Sequence, residues 1–474
     1  MDIEVFIDKY SKAIKEDNAA IFAGAGLSRS AGFVDWKLLL QNIAVELGLN
    51  VEKEQHDLIG LAQFYCNHHM GRGGLNQVII DEFQRRAAIT DNHRILARLP
   101  ISTYWTTNYD TLIETALHES GKNPDVKVAP ENLALTLNNR DAVVNKMHGD
   151  VTQVHNAVIN RVDYERYEKT HSLFTTALQG DLVSKTFLFV GLSFNDPNLN
   201  YILSRIRLKL EGNQRPHYCL IKKVSDTDED YNYAKVKQEF QVNDLKRFSI
   251  NTILVDDYSD ITEILGKIEQ KVKKSTVFIS GSAEEYGDFT EEQTGEILHE
   301  LSIQLIKNDF RIISGFGVGV GSFVINGALE QLKSEHKNKF EDSIVLRPFP
   351  QKPSGGKTLD SLWEEYRKNM IQDAGIAVFV FGNKRGPENG PLIDAIGVIR
   401  EFEIALSLGL KIIPIGITGY QTKLIFNDLM DNFHTYYPGD DEIRPLFEIL
   451  GESLDVEVII STAIEIIQYI RRKN

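Results

Sequence analysis

The sequence predicts an α/β protein made of two Rossmann-like, doubly wound domains. Three observations predict it. Short apolar runs alternate with amphipathic helical stretches along the whole chain. The alternation restarts near residue 275, after a helical stretch that ends in KVKKS. Each half also carries a glycine-rich turn between a strand and a helix, FAGAGLSRSAG at 22–32 and GFGVGVGS at 315–322. A chain of 474 residues is long enough for two or three domains.

Composition narrows the class. Hydrophobic residues make up 42% and charged residues 25%, ordinary for a protein with a large buried core. The apolar runs are far shorter than the ~20 residues a membrane span needs. The first residues, MDIEVFIDKYSKAIKED, are acidic and amphipathic and read as a helix instead of a signal peptide. Two cysteines, Cys66 and Cys219, supply neither a disulfide framework nor a four-cysteine zinc site, which points to a reducing cytoplasm. Cys66 with His68 and His69 matches no standard metal spacing and reads as helix surface, so no metal is expected. A net charge of −15 argues against a broad nucleic-acid surface but leaves room for a locally basic pocket.

In the first half, the expected strands are Ala19–Ala23, Ser102–Thr106, Val143–Lys146, Thr186–Val190, His217–Ile221 and Thr252–Val255. Helical patterns lie between them, among them Trp36–Leu47, Asp110–His118 and Asn198–Leu210. The acidic stretch SDTDED, 225–230, reads as a solvated loop. A helix from about Asp260 to Lys274 closes the first domain, 1–274, and the second runs over 275–474. There, strand TVFIS (276–280) is followed by a helix that Thr290 and Gln293 start with a capping box. Strand RIIS (311–314), helix Phe323–Leu332, strand SIVLRPF, helix Leu359–Gln372, strand IAVFVFG, helix Ala395–Leu408 and strand KIIPIGI complete the expected set.

The first glycine-rich loop fits neither obvious phosphate motif. Arg29 stands where a dinucleotide fingerprint needs its third glycine, and no Gly-Lys-Ser/Thr follows. Three more polar stretches fall at strand C-terminal ends, where a nucleotide site belongs: TTNYDTL (106–112), KMHGD (146–150) and GLSFNDPNL (191–199). Taken in order with Gly24-Ala25-Gly26-Leu27-Ser28, then Gly32 and Asp35, they resemble the sirtuin family. Its Thr-Gln-Asn-Ile-Asp appears as Thr106-Thr107-Asn108-Tyr109-Asp110, its His-Gly as His148-Gly149, and its Gly-Thr-Ser as Gly191-Leu192-Ser193.

The resemblance implies cleavage of the nicotinamide–ribose bond of NAD+ as substrate, through an oxocarbenium-like transition state. It implies an NAD-binding set of Ala23, Gly24, Ala25, Ser28, Asp35, Asn108, Asp110, His148, Gly191 and Ser193. Backbone amides near Gly24 would hold the pyrophosphate. Asn108 would orient a water at the nicotinamide ribose, Asp110 would support that polar floor, and Ser193 would touch the adenosine ribose. His148 would be the general base, since imidazole titrates near working pH. An open cleft at the sheet edge is expected to hold Asn108 and His148 beneath C1′.

The departures matter as well. Protein-deacylating sirtuins carry a four-cysteine zinc module after His-Gly, whereas this chain has the helical-looking VDYERYEKTHSLFTTALQGDLVS and no cysteine there. The family's Pro and Arg in the first loop are Val34 and Lys37. Water is then the simplest acceptor, giving ADP-ribose and nicotinamide. The alternatives are an NAD-dependent protein deacylase and a non-catalytic nucleotide sensor.

In the second half, Gly315, Gly317, Gly319 and Gly321 precede a helix whose N-terminal dipole favours phosphate. The turn resembles the SLOG family of nucleotide-binding Rossmann-like domains. Sirtuin-like followed by SLOG, over essentially the whole chain, resembles the NAD-degrading effectors of Thoeris antiphage defence. That resemblance implies activation by a cyclic ADP-ribose isomer made by a TIR-domain partner, and a homotetramer. It also implies a signal-nucleotide set of Gly281, Ser282, Phe316, Gly317, Gly319, Gly321, Arg367, Lys384 and Glu401. Neither membrane nor nucleic acid is an expected partner.

Overall fold

A computed structural model describes residues 1–474 apart from 86, 228–229, 336–339, 341–342, 354, 387–389 and 474. Two residues of the expected acidic loop, Asp228 and Glu229, therefore lie outside the described residues. The chain divides into two compact units, Met1–Glu269 and Gln270–Asn474.

The first unit holds seven strands: β1 (Ala19–Ala23), β2 (Thr103–Thr106), β3 (Pro124–Lys127), β4 (Ala142–Lys146), β5 (Thr186–Val190), β6 (His217–Lys222) and β7 (Ile250–Val255). They pair in the order β3-β4-β2-β1-β5-β6-β7, all parallel. Every residue of β1 and β5 is buried, as expected of central parallel strands covered on both faces. Phe22, Phe187 and Phe189 pack with Phe174, Leu178 and Leu203 on one side of the sheet. The order reverses at β1. The chain passes from β1 through β2 to β4 on one side, then returns to β5 on the other. The loops after β1 and β5 part at this switch point, the place where open α/β sheets bind ligands.

Two elements depart from expectation. Strand β3 begins at a proline and has four residues, so its composition does not announce a strand. It forms because it is an edge strand, where a missing N–H costs nothing on the outer side. The expected helix Trp36–Leu47 is two helices, Trp36–Leu39 and Gln41–Glu46, with Leu40 between them. With further helices at Leu58–His68 and Gly73–Phe83 they form an apolar cluster of Leu40, Ile43, Leu61, Tyr65, Leu75 and Ile79 that also buries Tyr109, next to Asn108.

The second unit holds β8 (Thr276–Ser282), β9 (Arg311–Ser314), β10 (Ile344–Leu346), β11 (Ile376–Phe381), the short hairpin β12 (Asn383–Arg385) and β13 (Leu392–Asp394), and β14 (Lys411–Pro414). Five of them form a parallel sheet, β10-β9-β8-β11-β14, with its own switch between β8 and β11. Thr290 and Gln293 close the expected capping box on helix Glu291–Lys307. The expected elements end at KIIPIGI, yet helices continue beyond it. The last, Val456–Arg472, buries Ile459, Ala463, Ile466, Ile467 and Ile470, a clear 3.6-residue stripe.

Candidate active site

The first loop is shaped by contact between backbones. Gly24 N–H donates to Val190 O at 2.9 Å, and Gly26 N–H donates to Gly191 O at 2.9 Å. A Cβ on Gly24 would stand 2.5 Å from Gly191 O, and one on Gly26 would stand 2.8 Å from Gly191 Cα. Gly191 has φ +68°, and a Cβ there would run into the Leu27 amide nitrogen. Three glycines thus press the loops after β1 and β5 together at the switch point. Ala23 ends β1, and Ala25 and Ser28 lie in the short helix Ala25–Arg29. Ser193 is exposed just beyond Gly191. Asp35 caps helix Trp36–Leu39, accepting from Leu38 N at 3.0 Å. Val34 N–H donates to Glu82 Oε1 at 3.1 Å, and Lys37 pairs with Glu52 at 2.8 Å.

Asn108 and His148 follow neighbouring strands in the same register. Thr106 of β2 pairs with Lys146 of β4, and each site residue lies two positions further on. Asn108 is 7% exposed and His148 is 1% exposed. The Asn108 amide donates to Gly24 O at 3.1 Å and Ser28 Oγ at 3.0 Å, while its Oδ1 has no partner. Asp110 Oδ1 accepts from Leu112 N at 3.0 Å, where the next helix begins, and its Oδ2 is likewise buried without a partner. Neither ring nitrogen of His148 makes a hydrogen bond.

The expected opening to solvent is not found at these two side chains: both are buried. The cover is partly polar. His148 Nε2 lies 3.3 Å from Asp196 Oδ2, and the Tyr164 hydroxyl donates to that same oxygen at 2.9 Å. The rings of Tyr164 and Tyr167 meet His148 edge-on, at 5.6 Å and 6.1 Å between centroids. Both tyrosines come from helix Arg161–Thr170, the first of two helices, broken at His171, that occupy the stretch with no zinc module. Burial lowers the His148 pKa from its ordinary value, and the Asp196 carboxylate works against that shift.

Below the histidine, buried Lys146 bridges Glu114 Oε1 at 3.0 Å and Asp150 Oδ2 at 2.5 Å and donates to Asp110 O. Burial opposes charge on Lys146, but Glu114, Asp150 and Asp110 outweigh it and hold its pKa above that of an ordinary lysine. Gly149, at φ +82°, allows the turn that follows.

Asp196, Tyr164 and Lys146 went unassigned in the sequence. Asp196 stands in Asp-Pro-Asn-Leu, a helix N-cap pattern, and it does cap helix Pro197–Leu210 through Leu199 N at 2.8 Å. Its second role depends on a fold contact that spacing does not encode.

In the second unit, Gly281 and Ser282 end β8, and the loop Phe316–Gly321 packs onto them. A Cβ on Gly317 would collide with Gly281 O, and one on Gly319 would collide with Ala283 O. Gly321 is as tightly placed, 2.6 Å from Phe316 Cα for an added Cβ. Phe316 is exposed and has φ +56°. Glu401 is buried, accepts from Ser280 Oγ at 2.6 Å, and lies 3.6 Å from Arg367 Nε, which has no hydrogen-bond partner. Burial raises the Glu401 pKa, against Ser280 and Arg367. Lys384 is exposed on the β12–β13 hairpin; its neighbour Asn383 accepts from Ser282 Oγ at 2.9 Å. So the expected signal-nucleotide residues meet around the C-terminal end of β8. A groove of about 630 Å³ beside helix Glu291–Lys307 contains none of them. Glu291, Glu292 and Glu296 line it, which suits an anionic nucleotide badly.

Cys66 lies in helix Leu58–His68, half-buried, with Asn160 Nδ2 3.6 Å from Sγ. Among the described residues, no helix is long and apolar enough to cross a membrane.

A SIR2-like domain model matches residues 102–245, and a Sir2- and TIR-associating SLOG family model matches residues 260–470. A protein of Bacillus cereus (strain MSX-D12) named NAD(+) hydrolase ThsA is 50% identical over 98% of this chain and 98% of its own. Proteins of the same name from Cytobacillus dafuensis and Enterococcus faecium are 48% identical over 99% of this chain and 97% of theirs, and 46% identical over 98% of each.

Proposed function

The chain belongs to the family of the NAD(+) hydrolases ThsA, and on that premise we propose that it hydrolyses NAD+ to ADP-ribose and nicotinamide at the Asn108–His148 site. The carrying observation is the set of buried polar atoms without hydrogen-bond partners, Asn108 Oδ1, Asp110 Oδ2 and both His148 nitrogens, on the segments that follow the paired strands β2 and β4, with the Asn108 amide bound to Gly24 O. Buried polar groups are almost always hydrogen-bonded, so such a cluster is a site awaiting a ligand.

The reaction follows from these atoms. The C1′–N1 bond breaks and its electron pair goes to the nicotinamide ring, which leaves neutral. Asn108 Oδ1 accepts a hydrogen bond from the attacking water and holds it under C1′. As the water oxygen bonds to C1′, His148 takes the released proton. The glycine-tight loops let backbone N–H groups approach the pyrophosphate. A protein deacylase would need an acyl-lysine groove, and helix Arg161–Thr170 fills the space against His148. A pure sensor would leave the unpartnered His148 without a task.

The second unit receives the control. A cyclic ADP-ribose isomer, made by a TIR-domain partner, would bind around Gly281, Phe316 and Gly317, with Arg367 and Lys384 on its phosphates and Glu401 on a ribose hydroxyl. The closed state over His148 supports this scheme, because such a site needs opening before NAD+ enters. The activator must favour the open arrangement, within a homotetramer by this reading. NAD+ depletion in the cytoplasm on phage infection is the consequence we propose.

The test measures nicotinamide release by the full chain from NAD+, alone and with cyclic ADP-ribose isomers. The reading expects release that rises with one isomer and disappears in Asn108→Ala and His148→Ala. Acetyl-lysine turnover in place of release would favour the deacylase, and no release under any isomer would favour the sensor.

A further inference from the structure

Asp196 lies three residues beyond Ser193 and was given no role in the expected site, yet its carboxylate is the one charged group within ion-pair distance of His148 among the described residues. Two donors fix it. Leu199 N–H holds Oδ1 at 2.8 Å, and the Tyr164 hydroxyl holds Oδ2 at 2.9 Å. The carboxylate therefore has little freedom to turn, and Oδ2 faces His148 Nε2. No hydrogen bond joins the two groups in this structure, but a negative charge 3.3 Å from Nε2 favours the tautomer with the proton on Nε2 and the lone pair on Nδ1. We propose that Asp196 is a positioning residue for the hydrolysis, holding His148 so that Nδ1 is the base, with Tyr164 as the anchor of the carboxylate.

When the water attacks C1′, its proton passes to Nδ1 and the ring becomes a cation. The fixed carboxylate then offsets that charge in a buried place, where an unpaired imidazolium would be costly. The other groups facing the ring are the hydroxyl-bearing rings of Tyr164 and Tyr167, and His171, which stacks on Tyr167 at 4.7 Å. Lys146, two residues before His148, pairs with both Asp150 and Glu114. Asp196 is the only anion turned to the imidazole among these. The inference rests on His148 being the base.

The decisive variant is Asp196→Asn, because asparagine caps a helix as well as aspartate and keeps the side-chain shape while removing the charge. In the activated full chain, kcat falls roughly 10- to 100-fold with KM unchanged. The acid limb of the pH–rate profile moves to lower pH, since the lost anion had favoured protonated His148. In a His148→Ala background the substitution has no further effect. Tyr164→Phe moves the same limb the other way, because the whole carboxylate charge then faces the ring. A purely capping role would leave both limbs in place. Wild-type kcat and pH limb in Asp196→Asn, with His148→Ala inactive, overturn this inference alone. Wild-type activity in His148→Ala overturns it together with the assignment of the base. If Asp196→Asn does not fold, an unmoved limb in Tyr164→Phe overturns it.

Discussion

Asn108 shows how a short motif becomes a site. Its amide hydrogens are committed to Gly24 O and Ser28 Oγ, which aims Oδ1 away from both and leaves it unpaired. Asn108→Ala should therefore remove turnover by roughly 10²- to 10⁴-fold while the protein still folds, measured as nicotinamide release beside a thermal melt. Gly191→Ala should do the reverse. Its added methyl meets Leu27 N at a positive φ, so the melting temperature should fall with activity, by an amount equivalent to at least ~1–3 kcal/mol. The placing of Asn108, His148 and the glycines at strand ends was legible, because polar and glycine-rich stretches directly follow apolar strand runs. Asp196 was not, because Asp-Pro is also how a helix begins. The burial of His148 was not legible either, because it depends on where helix Arg161–Thr170 packs.

Strands were the most legible elements. β1, β5 and β9 have the expected bounds, since their buried apolar runs sit between polar turns. β3 was hidden by its proline and its edge position, and the broken helix at Leu40 by continuous apolar spacing. The elements also carry a pH dependence of stability. Burial lowers the pKa of His93, His171 and His217 to about 4 in each case. His217 Nδ1 of β6 accepts from Phe187 N of β5 at 3.1 Å, so protonation there breaks a contact between central strands. Between the ordinary histidine value and about 4, the unfolded chain binds more protons than the folded one. Stability therefore falls with falling pH, by about 1.4 kcal/mol per unit for each group. Melts of the full chain at descending pH below about 6.5 should show a steady decline. A flat melting temperature over that window would mean these side chains are already charged when folded.

At the scale of the molecule, two parallel sheets each bring a glycine-tight loop to a switch point, and each gathers charged or polar residues there. The two-domain order was legible from the restart of the α/β rhythm. The helices after β14 were not, because no chemical motif drew attention to them. The proposed signal site should show its own signature. Arg367→Ala should raise the concentration of cyclic ADP-ribose isomer needed for activation and leave the maximal rate of a fully activated sample intact. An unchanged activation curve would detach Arg367 from the signal. The central claim, that NAD+ is cleaved between β2 and β4, is tested most directly by the structure of the activated His148→Ala protein with NAD+ bound. The account predicts the nicotinamide ribose C1′ beside Asn108 Oδ1, with helix Arg161–Thr170 displaced from its present contact. NAD+ bound elsewhere, with Asn108 still sealed, would contradict it.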